Sequence, residues 1–151
     1  MEILKTTAVF ISTFFFMEFM AWFSHKYIMH GFLWSLHKDH HNQNLKTSWW
    51  ERNDLFFIFY AVISMAFFYS QVELDFGYGF AIGFGIMAYG LTYFIVHDIF
   101  IHQRFKIFKK SNNWYANGVR KAHKMHHANL KKDGGESFGM LFPPVKYFRD
   151  K

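Results

Sequence analysis

The ten histidines of this chain are confined to two short blocks: His25, His30, His37, His40 and His41, then His97, His102, His123, His126 and His127. Each block reads H-x4-H and then H-x2-H-H, so one order of spacings occurs twice, on either side of a strongly apolar middle. At about 100° per residue, positions i, i+3 and i+4 of an α-helix fall within one arc of about 100°. His37, His40 and His41 therefore share a helix face, as do His123, His126 and His127. The H-x4-H pairs differ, because i and i+5 point about 140° apart on a straight helix. Either the helix unwinds there or the two rings serve different metals. One ion of ordinary coordination number cannot engage so many imidazoles, and two neighbouring ions are the economical expectation. Imidazole suits zinc, copper, iron and nickel alike, so ligand type leaves the metal open.

The elements that must position these side chains belong to a membrane. Aromatic residues make up 23% of the chain and Phe alone supplies 22 of its 151 residues, more apolar surface than a water-soluble domain of this length can hide. The mean hydropathy of −0.03 conceals this, because it averages very apolar spans with very basic segments. By length the chain, 1–151, is expected to be a single domain. Without cysteine it can form no disulfide and ligate no iron–sulfur cluster, so electrons for redox chemistry must come from outside. The net charge of +6 lies beside apolar spans, where membrane topology explains it more simply than nucleic acid does.

Ile3 to Phe23 is an almost unbroken apolar run, long enough to cross a hydrocarbon core of about 30 Å as a helix. It lacks the basic start and small-residue cleavage site of a signal peptide. Glu18 lies inside it, and a carboxylate at that depth calls for a partner, either near the metal layer or as a hydrogen bond between helices. Asn44 to Asp54 is polar and carries Trp49-Trp50, the mark of a membrane–water boundary. Leu55 to Val72 and Phe76 to Val96 read as a second and a third span, joined by the short turn Val72-Glu73-Leu74-Asp75. In the third, Gly79 and Gly83 form a G-x-x-x-G that admits a second helix closely; the alternative use of Gly79, Gly83, Gly85 and Gly90 is to leave a groove for a long lipid.

Three spans put both histidine blocks at one membrane face, together with all of the 17 Lys and Arg residues except Lys5. By the positive-inside rule that face is cytoplasmic. The fold expected is an all-α integral membrane protein, three transmembrane helices under a histidine-rich helical cap. Ile99 to Lys110 is too charged to span and suits an interfacial helix; a fourth span would exist only if that stretch dipped inward. The tail, with Gly134-Gly135 and Pro143-Pro144, reads as an ordered loop packed back on the site or the membrane surface. Asp98, beside His97, is a candidate acceptor that orients an imidazole N–H, with a salt bridge to Arg104 as the rival.

The motifs His25-Lys-Tyr-Ile-Met-His30-Gly, His37-x-x-His40-His41, Val96-His97-Asp98 through His102-Gln103-Arg104, Ala122-His123-Lys-Met-His126-His127-Ala128 and Ser137-Phe138-Gly139 resemble those of the bacterial β-carotene hydroxylases, small members of the membrane fatty acid hydroxylase superfamily. The resemblance covers nearly the whole chain. It implies a di-iron centre held by all ten histidines, O2 as co-substrate, and electrons from a ferredoxin or similar donor. The implied reaction is hydroxylation of carbon 3 of each β-ionone ring of β-carotene, through β-cryptoxanthin to zeaxanthin, at a bacterial cytoplasmic membrane. The basic residues Lys109, Lys110, Arg120, Lys121 and Lys124 would suit an acidic ferredoxin. A zinc hydrolase is disfavoured by the lack of H-E-x-x-H. A metal transporter would spread its ligands along a path through the bilayer. Hydroxylation, desaturation or ketolation of another membrane lipid, such as a fatty acid or sterol, shares the histidine spacings and is the serious alternative.

Overall fold

Helices and irregular segments, with no strand, make up the described residues, 1–45, 49–74, 77–107 and 110–149 of the computed structural model. Helix α1, Glu2–Phe23, runs on into a π-helical stretch, Ser24–Phe32, that leaves helical geometry at Gly31 (φ −101°, ψ −126°). After the break, α2 covers Trp34–His41. Next come α3, Asp54–Leu74, and α4, Gly79–Tyr93, which continues as a second π-helical stretch, Phe94–Ile101. Helix α5, Trp114–Ala128, starts where the Asn113 side chain accepts a hydrogen bond from the Ala116 N–H at 2.9 Å. The tail ends in a 3-10 turn, Val145–Phe148.

Three stretches are long and apolar enough to cross a membrane, Glu2–Phe32, Asp54–Leu74 and Gly79–Ile101. At 1.5 Å per residue α1 and α3 each rise by roughly 30 Å, the thickness of the hydrocarbon core. α4 packs along both of the other spans. A Cβ at Gly79 would come within 2.7 Å of the Phe67 carbonyl oxygen, at Gly83 within 2.6 Å of the Phe68 ring and at Gly85 within 2.7 Å of Thr13. These three glycines serve close packing, as the G-x-x-x-G spacing implies. The seam is closed by Met17, Ile86 and Tyr89, with Tyr60 and Phe67 against them. Phe15, Phe16, Phe59, Val62, Met65 and Phe84 point outward, which only a lipid solvent makes favourable.

Glu18 is tied between elements. Its Oε2 accepts from the Tyr89 hydroxyl at 2.7 Å, and its Oε1 accepts from the backbone N–H groups of Met140, Leu141 and Phe142 at 2.9, 2.8 and 3.3 Å. The carboxyl group thus fastens the tail to α1 and α4, and the tail is the ordered loop packed onto the site that its composition implied.

The described part of the stretch, 99–107, is not an interfacial helix, and Phe108 lies outside the described residues. Residues 99–101 finish the second π-helical stretch and 102–107 are irregular, with bends and turns. Arg104 turns inward, donating to both Asp54 carboxylate oxygens at 2.8 and 2.7 Å, to Asp98 at 2.8 Å and to the Trp49 carbonyl at 3.0 Å, while Gln103 takes up a positive φ of 55°. A stretch drawn in by a buried guanidinium cannot lie flat on the bilayer. No fourth span occurs among the described residues. α3 runs through Leu74, and Asp75 and Phe76, part of the expected turn and third span, lie outside the described residues, as does Lys109.

Candidate metal centre

In a π-helix the backbone bond closes i to i+5, so residues five apart sit one above the other. The Leu33 N–H bonds the Ile28 carbonyl at 3.0 Å and the His102 N–H bonds the His97 carbonyl at 2.9 Å, both with that five-residue closure. The first π-helical stretch carries His25 and His30, the second carries His97 with His102 as its C-cap, and each pair enters a single group. The helix does unwind, and the two rings of a pair face the same place.

Two groups form, His25, His30, His37, His41 and His126 in site 1, and His40, His97, His102, His123 and His127 in site 2; within each, the five ligand atoms lie within 4.8 Å of one another. Every sequence-predicted ligand is thereby brought together. The division follows the repeat with one exchange: in each H-x2-H-H motif the middle histidine, His40 or His126, crosses to the other block's site. The wall between the sites is made by α2 and α5, where the His41 ring of site 1 stacks on the His127 ring of site 2 with centroids 4.3 Å apart and 17° between planes.

The second ring nitrogens fix the tautomers. In site 1 every Nδ1 meets an oxygen: Phe138 O for His25 (2.9 Å), Lys132 O for His30 (2.7 Å), Asn53 Oδ1 for His37 (2.7 Å), Asn129 O for His41 (2.9 Å) and Glu136 O for His126 (2.8 Å). These oxygens only accept, so Nδ1 carries the hydrogen and Nε2 presents a lone pair. Those lone pairs converge, with Nε2–Nε2 separations of 3.1 Å for His25–His37 and His30–His41 and 3.2 Å for His30–His126 and His37–His41. In site 2 His40–His97 stand at 3.0 Å and His102–His123 at 2.9 Å. His127 Nε2 is buried with no hydrogen-bond partner. Lone pairs packed this closely repel unless a cation lies among them, so the residues fit a metal. At metal–nitrogen distances of about 2.1 Å, ligands at right angles stand about 3.0 Å apart and tetrahedral ones about 3.4 Å. The observed spacings fit right angles.

Burial, reinforced by neighbouring histidines, pushes the imidazoles of His37, His40, His102, His123 and His127 below the usual histidine range, His41 to about 4 and His126 to about 3. These seven rings are neutral near pH 7 and ready to donate. Site 2 differs from site 1 in its outer partners, because His40 Nδ1 bonds the buried Glu51 carboxylate at 2.7 Å and His97 Nδ1 bonds Asp98 at 3.1 Å. Asp98 thus bonds both the His97 ring and, through its other oxygen, Arg104. Glu51 and Asn53 were missed from sequence; their signal was acid and amide side chains beside the Trp49-Trp50 pair, read there only as boundary residues. The carbonyls of Asn129, Lys132, Glu136 and Phe138 leave no side-chain signal.

An apolar cleft of about 200 Å³ opens beside site 1, walled by α1, α3 and α4 and lined among others by Met17, Met29, Phe57, Ile86 and Tyr93, and also by His25 and Phe138. It joins the metal layer to the span interior.

The fatty acid hydroxylase family model matches residues 10–148, which takes in all ten histidines, Glu18, Glu51, Asp98 and the tail carbonyls. The chain belongs to the fatty acid hydroxylase family. As a hydroxylase-family member it is an integral membrane oxidoreductase. It is 39% identical over 132 residues to a β-carotene hydroxylase of Pantoea ananas, covering 85% of this chain and 71% of that one. A β-carotene hydroxylase of Pseudescherichia vulneris is 36% identical over 126 residues, 83% of this chain and 70% of the relative. A chloroplastic β-carotene 3-hydroxylase of Arabidopsis thaliana is 34% identical over 131 residues, 85% of this chain and 42% of the longer plant protein. No solved structure gives a significant match.

Proposed function

We propose that this protein is a single-domain, non-haem di-iron monooxygenase that hydroxylates the β-ionone rings of β-carotene at carbon 3, giving β-cryptoxanthin and then zeaxanthin. The carrying observation is the two converging sets of five imidazoles beside an apolar cleft, in a chain whose curated relatives bear β-carotene hydroxylase names. His25, His30, His37, His41 and His126 would hold one iron, and His40, His97, His102, His123 and His127 the other. Five right-angled imidazoles per ion leave room for a further ligand, unlike a closed structural zinc site. When bound, the iron pair supplies the reduction of O2 and the removal of a hydrogen atom from an unactivated C–H bond. The net change at carbon is C–H plus O2, two electrons and two protons to C–OH plus water.

The chain's own residues bind, orient and exclude water. The tail carbonyls and Asn53 hold the site 1 imidazoles at fixed tilt, and Glu51 and Asp98 do so for His40 and His97. The apolar cleft admits hydrocarbon and keeps water from the reacting carbon. Two electrons per turnover come from outside, since the chain has no cysteine. A ferredoxin-type donor would meet the basic cap on the cytoplasmic side, where Lys110, Lys121 and Lys124 are exposed. Arg120 contributes less to that face, because it donates to the Phe100 carbonyl at 2.8 Å with its guanidinium over the Phe100 ring.

Cells making β-carotene, this protein and a working ferredoxin system provide the test. β-Cryptoxanthin should appear early and give way to zeaxanthin, because the second ring can react only after release and reversal of the molecule. Unchanged pigment beside newly hydroxylated acyl chains or sterols would overturn the assignment. Iron rather than zinc, at two per chain, is the expected metal content.

A further inference from the structure

The fourth glycine of α4 is unlike the other three. Cβ atoms at Gly79, Gly83 and Gly85 would collide with neighbouring helices, whereas one at Gly90 would meet only Phe57 Cε2, at the ordinary contact distance of 3.7 Å. Helix packing therefore gives no reason for a glycine there, and glycine inside a helix lowers stability relative to alanine. What the missing side chain leaves is space, for Gly90 lines the apolar cleft. It lies seven residues before His97, two turns along the same helix and about 10 Å deeper in the membrane than the metal layer. His25 and Phe138 line the same cleft, so a substrate whose reacting end lies against them and whose chain runs into the spans lies against this level. Phe57 across from Gly90 and Tyr93 one turn nearer the metals are the bulky walls at that level, so the width of the passage is set at residue 90.

We infer that Gly90 is a specificity-determining residue: its bare backbone gives the cleft the width that a methyl-substituted ring end needs and a slim straight-chain end does not. This rests on the carotene-hydroxylase reading and extends it by naming where a ring-ended substrate is told from a linear one. A side chain at 90 would narrow the passage without disturbing the imidazoles, since no ligand or ligand partner touches the position.

The test uses the full-length protein in detergent or membranes, loaded with iron, with Gly90→Ala and Gly90→Leu. Leu91→Phe serves as a control for added bulk, because Leu91 is 58% exposed on the outer face. Iron content and thermal midpoint are measured alongside retention of β-carotene by the purified protein and its hydroxylation. Gly90→Leu should keep its iron, lose at least tenfold in β-carotene retention and turnover, and be largely restored by adding Phe57→Ala, which reopens the opposite wall. Gly90→Ala should fall between, and Leu91→Phe should match wild type. A carotene with acyclic ends, offered as competitor, should be retained equally by wild type and Gly90→Leu. Undiminished β-carotene retention and turnover by Gly90→Leu would overturn the inference, as would a loss that Phe57→Ala cannot relieve. If the wild type leaves β-carotene untouched, the functional reading fails separately, and the inference then falls if Gly90→Leu retains ring-ended and acyclic carotenes in the wild-type ratio.

Discussion

Site 1 and site 2 offer the same five imidazoles in the same order of spacings, yet what stands behind the rings differs. Site 1 is backed by four main-chain carbonyls and one amide, all neutral, and most of them belong to the tail. Site 2 has the Glu51 and Asp98 carboxylates behind His40 and His97. A carboxylate partner makes an imidazole a stronger donor and adds negative charge near the cation. At an effective dielectric of about 20, two opposite charges about 6 Å apart attract by about 3 kcal/mol. Arg104 offsets part of this, because it shares Asp98 and pairs with Asp54. Chemically repeated ligands are thus set in unequal fields, and on the proposed di-iron reading site 2 would be the stronger trap for a divalent ion.

The largest effect that bears on this contrast comes from the exchanged histidines. His126→Ala should remove a site 1 ligand from the second block, and His40→Ala a site 2 ligand from the first. Each should lower turnover at least about 100-fold and shift metal content toward one ion per chain. Near-normal turnover in the double variant would remove both sites from the mechanism. A smaller effect separates the backing groups. Glu51→Gln keeps an acceptor on His40 but removes the charge, and should weaken metal binding at site 2 about 10- to 100-fold while site 1 is unchanged. Glu18→Gln disturbs the acceptor that fastens the tail, and should weaken site 1 alone, by about tenfold as one charged hydrogen bond is lost. Stepwise titration of metal into the metal-free protein reads both, and equal weakening of the two sites by either variant would erase the contrast.

The smallest expected effect is on pH. His37, His40, His41, His102, His123, His126 and His127 have folded pKa values below the unfolded value of about 6.5, so between the two the unfolded chain binds more protons and stability rises with pH. The metal-free protein should have a level thermal midpoint above about pH 6.5, declining as pH falls toward the His41 value of about 4. Both sites contribute, and the decline should be delayed when metal is bound. A midpoint that rises on acidification would contradict the neutral, buried state of these rings.

Much of this was legible beforehand for physical reasons. Apolar run length fixes a span, and H-x2-H-H fixes a helix face, so the spans and the gathering of ten histidines at one end could be read directly. The five-residue spacing left two answers because an α-helix and a π-helix place i and i+5 differently, and only the backbone decides. The crossing of His40 and His126 was beyond reach, since spacing fixes the face of a helix but not which opposing helix it meets. The pairing of Arg104 with Asp98 could be read from sequence, but not the inward turn of its stretch, because its other partners, Asp54 and the Trp49 carbonyl, are distant in sequence or leave no side-chain signal. Gly79 and Gly83 were rightly assigned to packing, while the groove alternative for these glycines survives at Gly90 alone.

The exchange of middle histidines also sets an order of biogenesis. When the first two spans have left the ribosome, the chain holds four ligands of site 1 and one of site 2. The fifth ligand of site 1 is His126, near the end of α5, and the carbonyls that steady site 1 follow it at Asn129 to Phe138. Neither site can be completed by half of the protein. On the proposed di-iron reading, metal loading would therefore follow synthesis, when all three spans are inserted and the tail has closed, and a stalled or truncated chain would present no finished centre at which oxygen could be reduced wastefully.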